Sequence, residues 1–175
     1  MTQKQFYDWQ TMGGSKDVSA LVQSLEEREI SWCMIGGLAV NHWAEEPMAT
    51  ADVDLVIVTK QLDAAVEAFQ SLGFSREEFA HSVNLKGQSK VSIQITTAEF
   101  CQEFPSRAVP ADVHGMLMRV ASVEDTLAGK IAAFSDSSRR PSKRQKDLAD
   151  ISRLLESHPH LQQLIPAEVL SKLIF

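Results

Sequence analysis

Ala51-Asp52-Val53-Asp54-Leu55-Val56-Ile57-Val58 sets two carboxylates at the head of an apolar run. Asp is depleted in strands, and a carboxylate pushed into a core without partners is strongly destabilising. Strand side chains alternate, so Asp52 and Asp54 project from one face while Val53, Leu55 and Ile57 project from the other. Two oxygen acceptors on one rigid face suit a hard cation, and Mg²⁺ is commonly held by one or two carboxylates together with substrate phosphate oxygens. The alternative is a strand end whose acids face solvent or cap the next helix; the apolar run that follows counts against it.

Just upstream, Ile30-Ser31-Trp32-Cys33-Met34-Ile35 reads as a short buried strand and Leu38-Ala39-Val40-Asn41-His42-Trp43-Ala44 as the helix after it. Gly36-Gly37 is the turn between them. Glycines let backbone N–H groups approach a ligand, and a helix N-terminus carries roughly half a positive charge, so phosphate is favoured there. An ordinary strand-to-helix turn needing positive φ is the plainer reading of the two glycines taken alone. Strand, glycine turn, helix and a strand with paired acids together make one metal–nucleotide unit.

A Gly-Gly turn followed by Asp52-x-Asp54 at this spacing resembles the nucleotidyltransferase superfamily. Leu127-Ala128-Gly129-Lys130-Ile131-Ala132-Ala133, with Arg139 to Ile151 beyond it, looks like the C-terminal helices of the bacterial AbiEii-type branch. The resemblance implies an α+β fold, a nucleotidyltransferase-like mixed β-sheet with flanking helices and a C-terminal helical closure. It implies Asp52 and Asp54 as catalytic, metal-binding residues and Gly36, Gly37, Thr50 and Lys130 around the nucleotide. It also implies an NTP, with ATP the favoured donor, Mg²⁺ as cofactor, and transfer of a nucleoside monophosphate to an RNA, a protein or a small molecule. A toxin–antitoxin or phage-defence role, with an antitoxin protein as partner, belongs to the same implication.

Two departures from that pattern stand out. Where relatives often carry Arg two residues before the Thr of the signature, this chain has Met48. The strand Lys90-Val91-Ser92-Ile93-Gln94-Ile95-Thr96 has Val91, Ile93 and Ile95 on its apolar face, so Ser92 and Gln94 face the side where the superfamily's third carboxylate is expected. Gln has no basic lone pair near neutral pH and offers a cation only a neutral dipole. A catalytically silent nucleotide-binding or protein-interaction module of the same fold is therefore the alternative function. His81, ahead of the strand Ser82–Leu85, is a substitute base by position alone; a solvent-facing histidine is the commoner fate. Glu45 and Glu46 read as solvated, and Asp112 as a loop or strand-start acid.

Positive charge is focused on one stretch. Arg139, Arg140, Lys143, Arg144 and Lys146 fall within eight positions of a chain whose net charge is −6. Ser142-x-x-Gln145 matches a capping box, which would start a helix there and set Lys143, Arg144 and Lys146 in its first turns. Cations at a helix N-terminus oppose the macrodipole, which points to an anion for Lys143, Arg144 and Lys146, a triphosphate or an RNA backbone, and the bases of 139–146 together, Arg139 and Arg140 included, would steady a triphosphate. A solvated helix start is the alternative, with Asp147 and Asp150 pairing to Lys143 or Lys146. Lys130 lies on a helix begun by Ser122, off the stripe Val123, Leu127, Ile131 and Phe134, and is either a phosphate ligand or a snorkelling surface lysine.

With 175 residues, of which 44% are hydrophobic, the chain is expected to form a single domain over residues 1–175, its core about 16–120 and its closing helices about 122–175. Two cysteines, Cys33 and Cys101, do not make a disulfide framework and fit a reducing compartment. Residues 1–16 lack the apolar centre of a signal peptide and no stretch has the length of a membrane span, so a cytoplasmic protein with no membrane partner is expected. Remaining expectations are a helix over about 16–28, another through Leu62, Ala65, Val66 and Phe69 ending near Gly73, a strand pair turned at Gly115 within Asp112–Val120, and a last short helix from Pro166.

Overall fold

The computed structural model describes residues 1–79 and 82–174. Seven strands form one mixed sheet: β1 (Trp32–Ile35), β2 (Val53–Ile57), β3 (Ser75–Phe79), β4 (Ser82–Lys86), β5 (Ser92–Thr96), β6 (Val109–Val113) and β7 (Met116–Val120). Their spatial order is β3-β4-β5-β2-β1-β7-β6, with β2 antiparallel to β1 and parallel to β5, and β1 parallel to β7. The strand with the paired acids is thus central. Its Val53, Leu55 and Ile57 face inward as the alternation requires, joining Ile93 and Ile95 of β5. Helices α1 (Gln3–Thr11), α2 (Gly14–Glu27), α3 (Gly36–Trp43) and α4 (Leu62–Ser71) precede β3. Leu21 and Leu25 of α2 and Val66 and Phe69 of α4 belong to the same core cluster.

The other side of β2 is thinner. Val56 packs there with Cys33, Cys101 and Phe104, the last from the single turn α5 (Phe104–Arg107). A third cluster joins α3 to the closing helices α6 (Val123–Ser135) and α7 (Pro141–Ser157) and to the short α8 (Ala167–Leu170): Val40, Leu127, Ile151, Leu154 and Leu161 are its centre. Trp43 borders two clusters and donates its indole N–H to the Ala121 carbonyl at 3.0 Å. Cys33 and Cys101 are buried and unpaired.

Several elements differ from the sequence reading. Residues 3–11 form a helix that periodicity did not predict; Thr2 and Gln5 make a reciprocal capping box that starts it. Strand β3 was not expected because every residue of it is exposed; it is a charged edge with an Arg76–Glu78 ion pair, and edge strands are held by backbone pairing rather than by an apolar face. Helix α7 begins at Pro141 with Arg140 as its uncapped N-cap, so the Ser142 capping box is not formed; proline in the first turn is the signal that decided the start. Ser122 does cap α6, accepting from the Asp125 N–H at 3.1 Å. His81 lies outside the described residues.

Candidate active site

Register builds the centre of the site. Asp54 stands opposite Ile35 of β1 and beside Gln94 of β5. The chain turns into α3 directly after Ile35, through Gly36 at φ +71°. A Cβ at Gly36 would collide with the Asp54 carboxylate, so this glycine serves both the left-handed turn and the space the acid occupies. Gly37 backs onto Thr50, where a Cβ would lie 3.3 Å from Oγ1. No side chain caps α3, which leaves its first-turn N–H groups for a ligand. Asp52 is exposed, one residue before the first paired position of β2.

Asp54 is half-buried and makes no hydrogen bond among the described residues. Burial pushes its carboxyl up to about 6; the positive charge of Lys130 works against this, the negative charge of Asp52 adds to it, and Arg139 and Lys143 oppose it. A hard cation held by Asp54 and Asp52 would relieve both the desolvation and the repulsion. Among the described residues no three His, Cys, Asp or Glu side chains converge as a metal cage. Two hard carboxylate donors fit a cation that brings phosphate oxygens with it.

Asp54, Gly36, Gln94, Lys130 and Arg139 line one cavity of about 290 Å³, with Phe100 and Phe104 adding apolar surface. Lys130 is buried, not a surface lysine. Its Nζ lies 3.1 Å from Asp147 Oδ1 and 2.7 Å from Asp150 Oδ2. The second approach is an ion pair without hydrogen-bond alignment. Burial alone would depress the ammonium, but Asp150 and Asp147 outweigh it and hold it above its ordinary value. The two acids therefore pair with α6 rather than with Lys143 or Lys146. Arg139 Nε meets Asp147 Oδ2 at 2.7 Å, and Arg153 Nη1 meets Asp150 Oδ1 at 2.9 Å.

The basic run divides. Arg139 reaches the cavity, while Arg144 folds back, its Nε donating to the Phe134 carbonyl at 2.7 Å and its guanidinium lying over that ring. Arg140, Lys143 and Lys146 have no carboxylate partner among the described residues. The polar chain also runs the other way: Arg153 donates to Asn41 Oδ1 at 2.8 Å and to the Glu46 carbonyl at 2.5 Å. Asn41 in turn holds Met48 through both of its backbone groups, at 2.6 and 2.9 Å. Sequence reasoning missed Arg153 and Asn41 and gave Asp147 and Asp150 only a pairing with Lys143 or Lys146, while Arg139 was read among the 139–146 bases that would steady a triphosphate. The readable signal was Asp147-x-x-Asp150, two acids one helical turn apart that a buried Lys130 could bridge.

A mixed sheet with this glycine turn and acid strand is the nucleotidyltransferase fold. Solved structures with the same fold include ANT(2'')-Ia in complex with adenylyl-2''-tobramycin, at TM-score 0.65 over 89% of this chain and 95% of that one, 15% identical. The lincosamide antibiotic adenylyltransferase LnuA, lincomycin-bound, matches at 0.54 over 79% and 96%, 12% identical. An antigenic nucleotidyltransferase-like protein from Paracoccidioides brasiliensis matches at 0.52 over 90% and 93%, 19% identical. At these identities the likeness is one of fold, and no curated protein matches the chain. The family described as nucleotidyl transferase AbiEii toxin, type IV toxin–antitoxin system, matches residues 19–174, and the chain belongs to that family. Fold and family together support nucleotidyl transfer. No helix among the described residues is long and apolar enough to cross a membrane.

Proposed function

We propose that the chain binds a Mg²⁺–NTP, ATP being the favoured donor, and transfers its nucleoside monophosphate to an acceptor hydroxyl. One observation carries this reading: a half-buried carboxylate, Asp54, without a hydrogen-bond partner among the described residues, packed against the Gly36 turn and lining a 290 Å³ cavity together with Lys130 and Arg139. Asp52 and Asp54 would hold the cation, which when bound draws negative charge from the phosphates and favours departure of pyrophosphate. Gly36 and Gly37 present backbone N–H groups to a phosphate. Arg140, Lys143 and Lys146 supply positive charge that no carboxylate among the described residues pairs with, and Arg139 adds to it at the cavity wall. Lys130 acts mainly as the fixed positive centre that orients Asp147 and Asp150, with its remaining field directed at the cavity. Phosphoryl-type transfer asks the protein chiefly for positioning and charge, so these groups cover most of what the step needs.

The second reading is a silent binding module, and Gln94 favours it. It takes the place beside Asp54 where a third acid would stand. The other acids on the cavity, Asp136 and Asp147, are engaged, the first by Ser138 and the second by Lys130 and Arg139. Family membership motivates a toxin role with an antitoxin as partner.

Thermal unfolding with each NTP, with and without Mg²⁺, tests binding. Ligand at 100 times its dissociation constant stabilises by roughly 2.7 kcal/mol, a shift of several degrees in a domain of this size. A Mg²⁺-dependent shift lost in Asp54→Asn is the expected result; no shift with any NTP would sink the nucleotide reading. α-Phosphate label on an acceptor separates the enzyme from the silent module.

A further inference from the structure

Two residues on the Asp54 cavity are not accounted for by the packing of the fold. Phe100, in the single turn Glu99–Cys101 after β5, lines the cavity and is 56% exposed. It meets Phe104 edge to face, centroids 5.8 Å apart, and Phe104 is buried in the cluster with Val56 and Cys33. One ring of the pair is thus fixed by the core, and the other keeps much of its surface free. Gly129, in the middle of α6, is half-buried and lines the same cavity. Glycine inside a helix weakens it relative to alanine. Gly129 is not among the positive-φ glycines, and a Cβ there would meet nothing within 4 Å beyond its own stretch of helix. Neither backbone nor packing asks for a glycine, so the space beside it is left open at a cost to the helix.

Ala132 and Ala133 of α6 line the cavity as well, so this helix adds short side chains to the open space. Small residues and a free aromatic surface suit a flat ring. The polar atoms that accompany them are already engaged with the backbone. Cys101 Sγ donates to the Ala98 carbonyl at 3.0 Å, Thr126 Oγ1 donates to the Ala121 carbonyl at 3.4 Å, and Thr96 Oγ1 accepts from the Ala98 N–H at 3.3 Å. Gln94 stands beside Asp54 in the sheet register. A ring on such a surface is held by stacking and dispersion more than by its edge groups, and affinity then follows stacking strength.

We propose that Phe100 and the open space at Gly129 form the base subsite of this cavity, which stacks a purine in preference to a pyrimidine and admits GTP as well as ATP. The assignment rests on the Mg²⁺–NTP reading and names what selects its donor. The triphosphate takes the charged groups of the cavity, and the base takes the aromatic surface. A two-ring base covers more of Phe100 than a one-ring base, so CTP and UTP bind more weakly. With the neighbouring hydroxyls and the thiol tied to the backbone, the exocyclic groups that tell adenine from guanine go largely unread.

Isothermal titration of the full chain tests this, with Mg²⁺ and each of the four NTPs and with Mg²⁺–tripolyphosphate as a probe that has no base. ATP and GTP are expected to bind alike and about fivefold or more tighter than CTP and UTP. Phe100→Ala, at an exposed position, and Gly129→Leu, which fills the open space, should each weaken ATP by about tenfold or more, whereas Phe100→Trp keeps a stacking surface and should bind ATP as the wild type does. All three variants should bind tripolyphosphate as the wild type does, a result that a distorted or unfolded site does not give. The subsite is overturned by pyrimidine nucleotides bound as tightly as purines, by ATP affinity indifferent to Phe100→Ala or to Gly129→Leu, or by tripolyphosphate weakened in step with ATP. A wild-type chain that binds neither an NTP nor tripolyphosphate overturns the nucleotide reading itself, and this one with it.

Discussion

At the scale of single residues, Asp54 is held at a cost to folding. Its carboxyl has a folded-state value of about 6 against about 4 for an unperturbed aspartate. Below the lower value it is protonated in both states; as pH rises through the higher one, the folded state loses stability relative to the unfolded. Asp54→Asn removes that dependence. The variant should be the more stable protein at pH 7, by about 1–2 kcal/mol after allowance for partial exposure, and the advantage should disappear near pH 4. Urea melts of both proteins across that range check it; a variant less stable at pH 7 would refute it. Gly36→Ala strains a left-handed position by about 1–2 kcal/mol and displaces the acid as well. It should cost stability and abolish any Mg²⁺–NTP shift, which differential scanning calorimetry with ligand would read.

At the scale of elements, α6 and α7 are fastened by an ion network inside their interface. Lys130 bridges Asp147 and Asp150, and Arg139 and Arg153 complete the two acids. Removing one member of a buried network strands the others, so Lys130→Met should cost about 3–5 kcal/mol. A denaturant midpoint equal to wild type would show the network to be dispensable. Arg153 does more than pair: through Asn41 and the Glu46 carbonyl it fixes the segment before β2. Arg153→Lys keeps the charge and loses the fork, since one ammonium cannot meet Asp150, Asn41 and Glu46 with the same geometry. The expected result is a near-wild-type melting temperature with weakened Mg²⁺–NTP binding; equal affinity in isothermal titration would separate the segment from the site.

Across the whole molecule, three apolar clusters meet around β1, β2 and α3, and the N-terminal helix joins them through one side chain. Tyr7 is 1% exposed and Trp9 is 72% exposed. If α1 is seated by Tyr7, Tyr7→Ala should cost about 3–5 kcal/mol, and Trp9→Ala should fall within about 0.5 kcal/mol of wild type. Equal effects of the two in chemical denaturation would mean that α1 sits otherwise.

The sequence by itself determined the acid strand, the glycine turn, the capped start of α6 and the place of Gln94, and the fold class followed from the resemblance these residues carry. Each rests on a local regularity: period-two alternation, a glycine where backbone must be free, a side chain that satisfies an orphan N–H. Alternation fixed the face of Gln94 before any partner strand was known, and the parallel pairing of β2 with β5 then put it beside Asp54. Strand β3 left no such trace, because an exposed edge needs no apolar face. Helix α1 left only its capping pair, Thr2 and Gln5. What Lys130 does was decided by tertiary structure alone. The periodicity of α6 placed it off the apolar stripe, and nothing local to that helix states that two acids from α7, 17 and 20 residues further on, bury its charge. The same holds for Arg153 and Asn41, which are distant in sequence and meet only through packing.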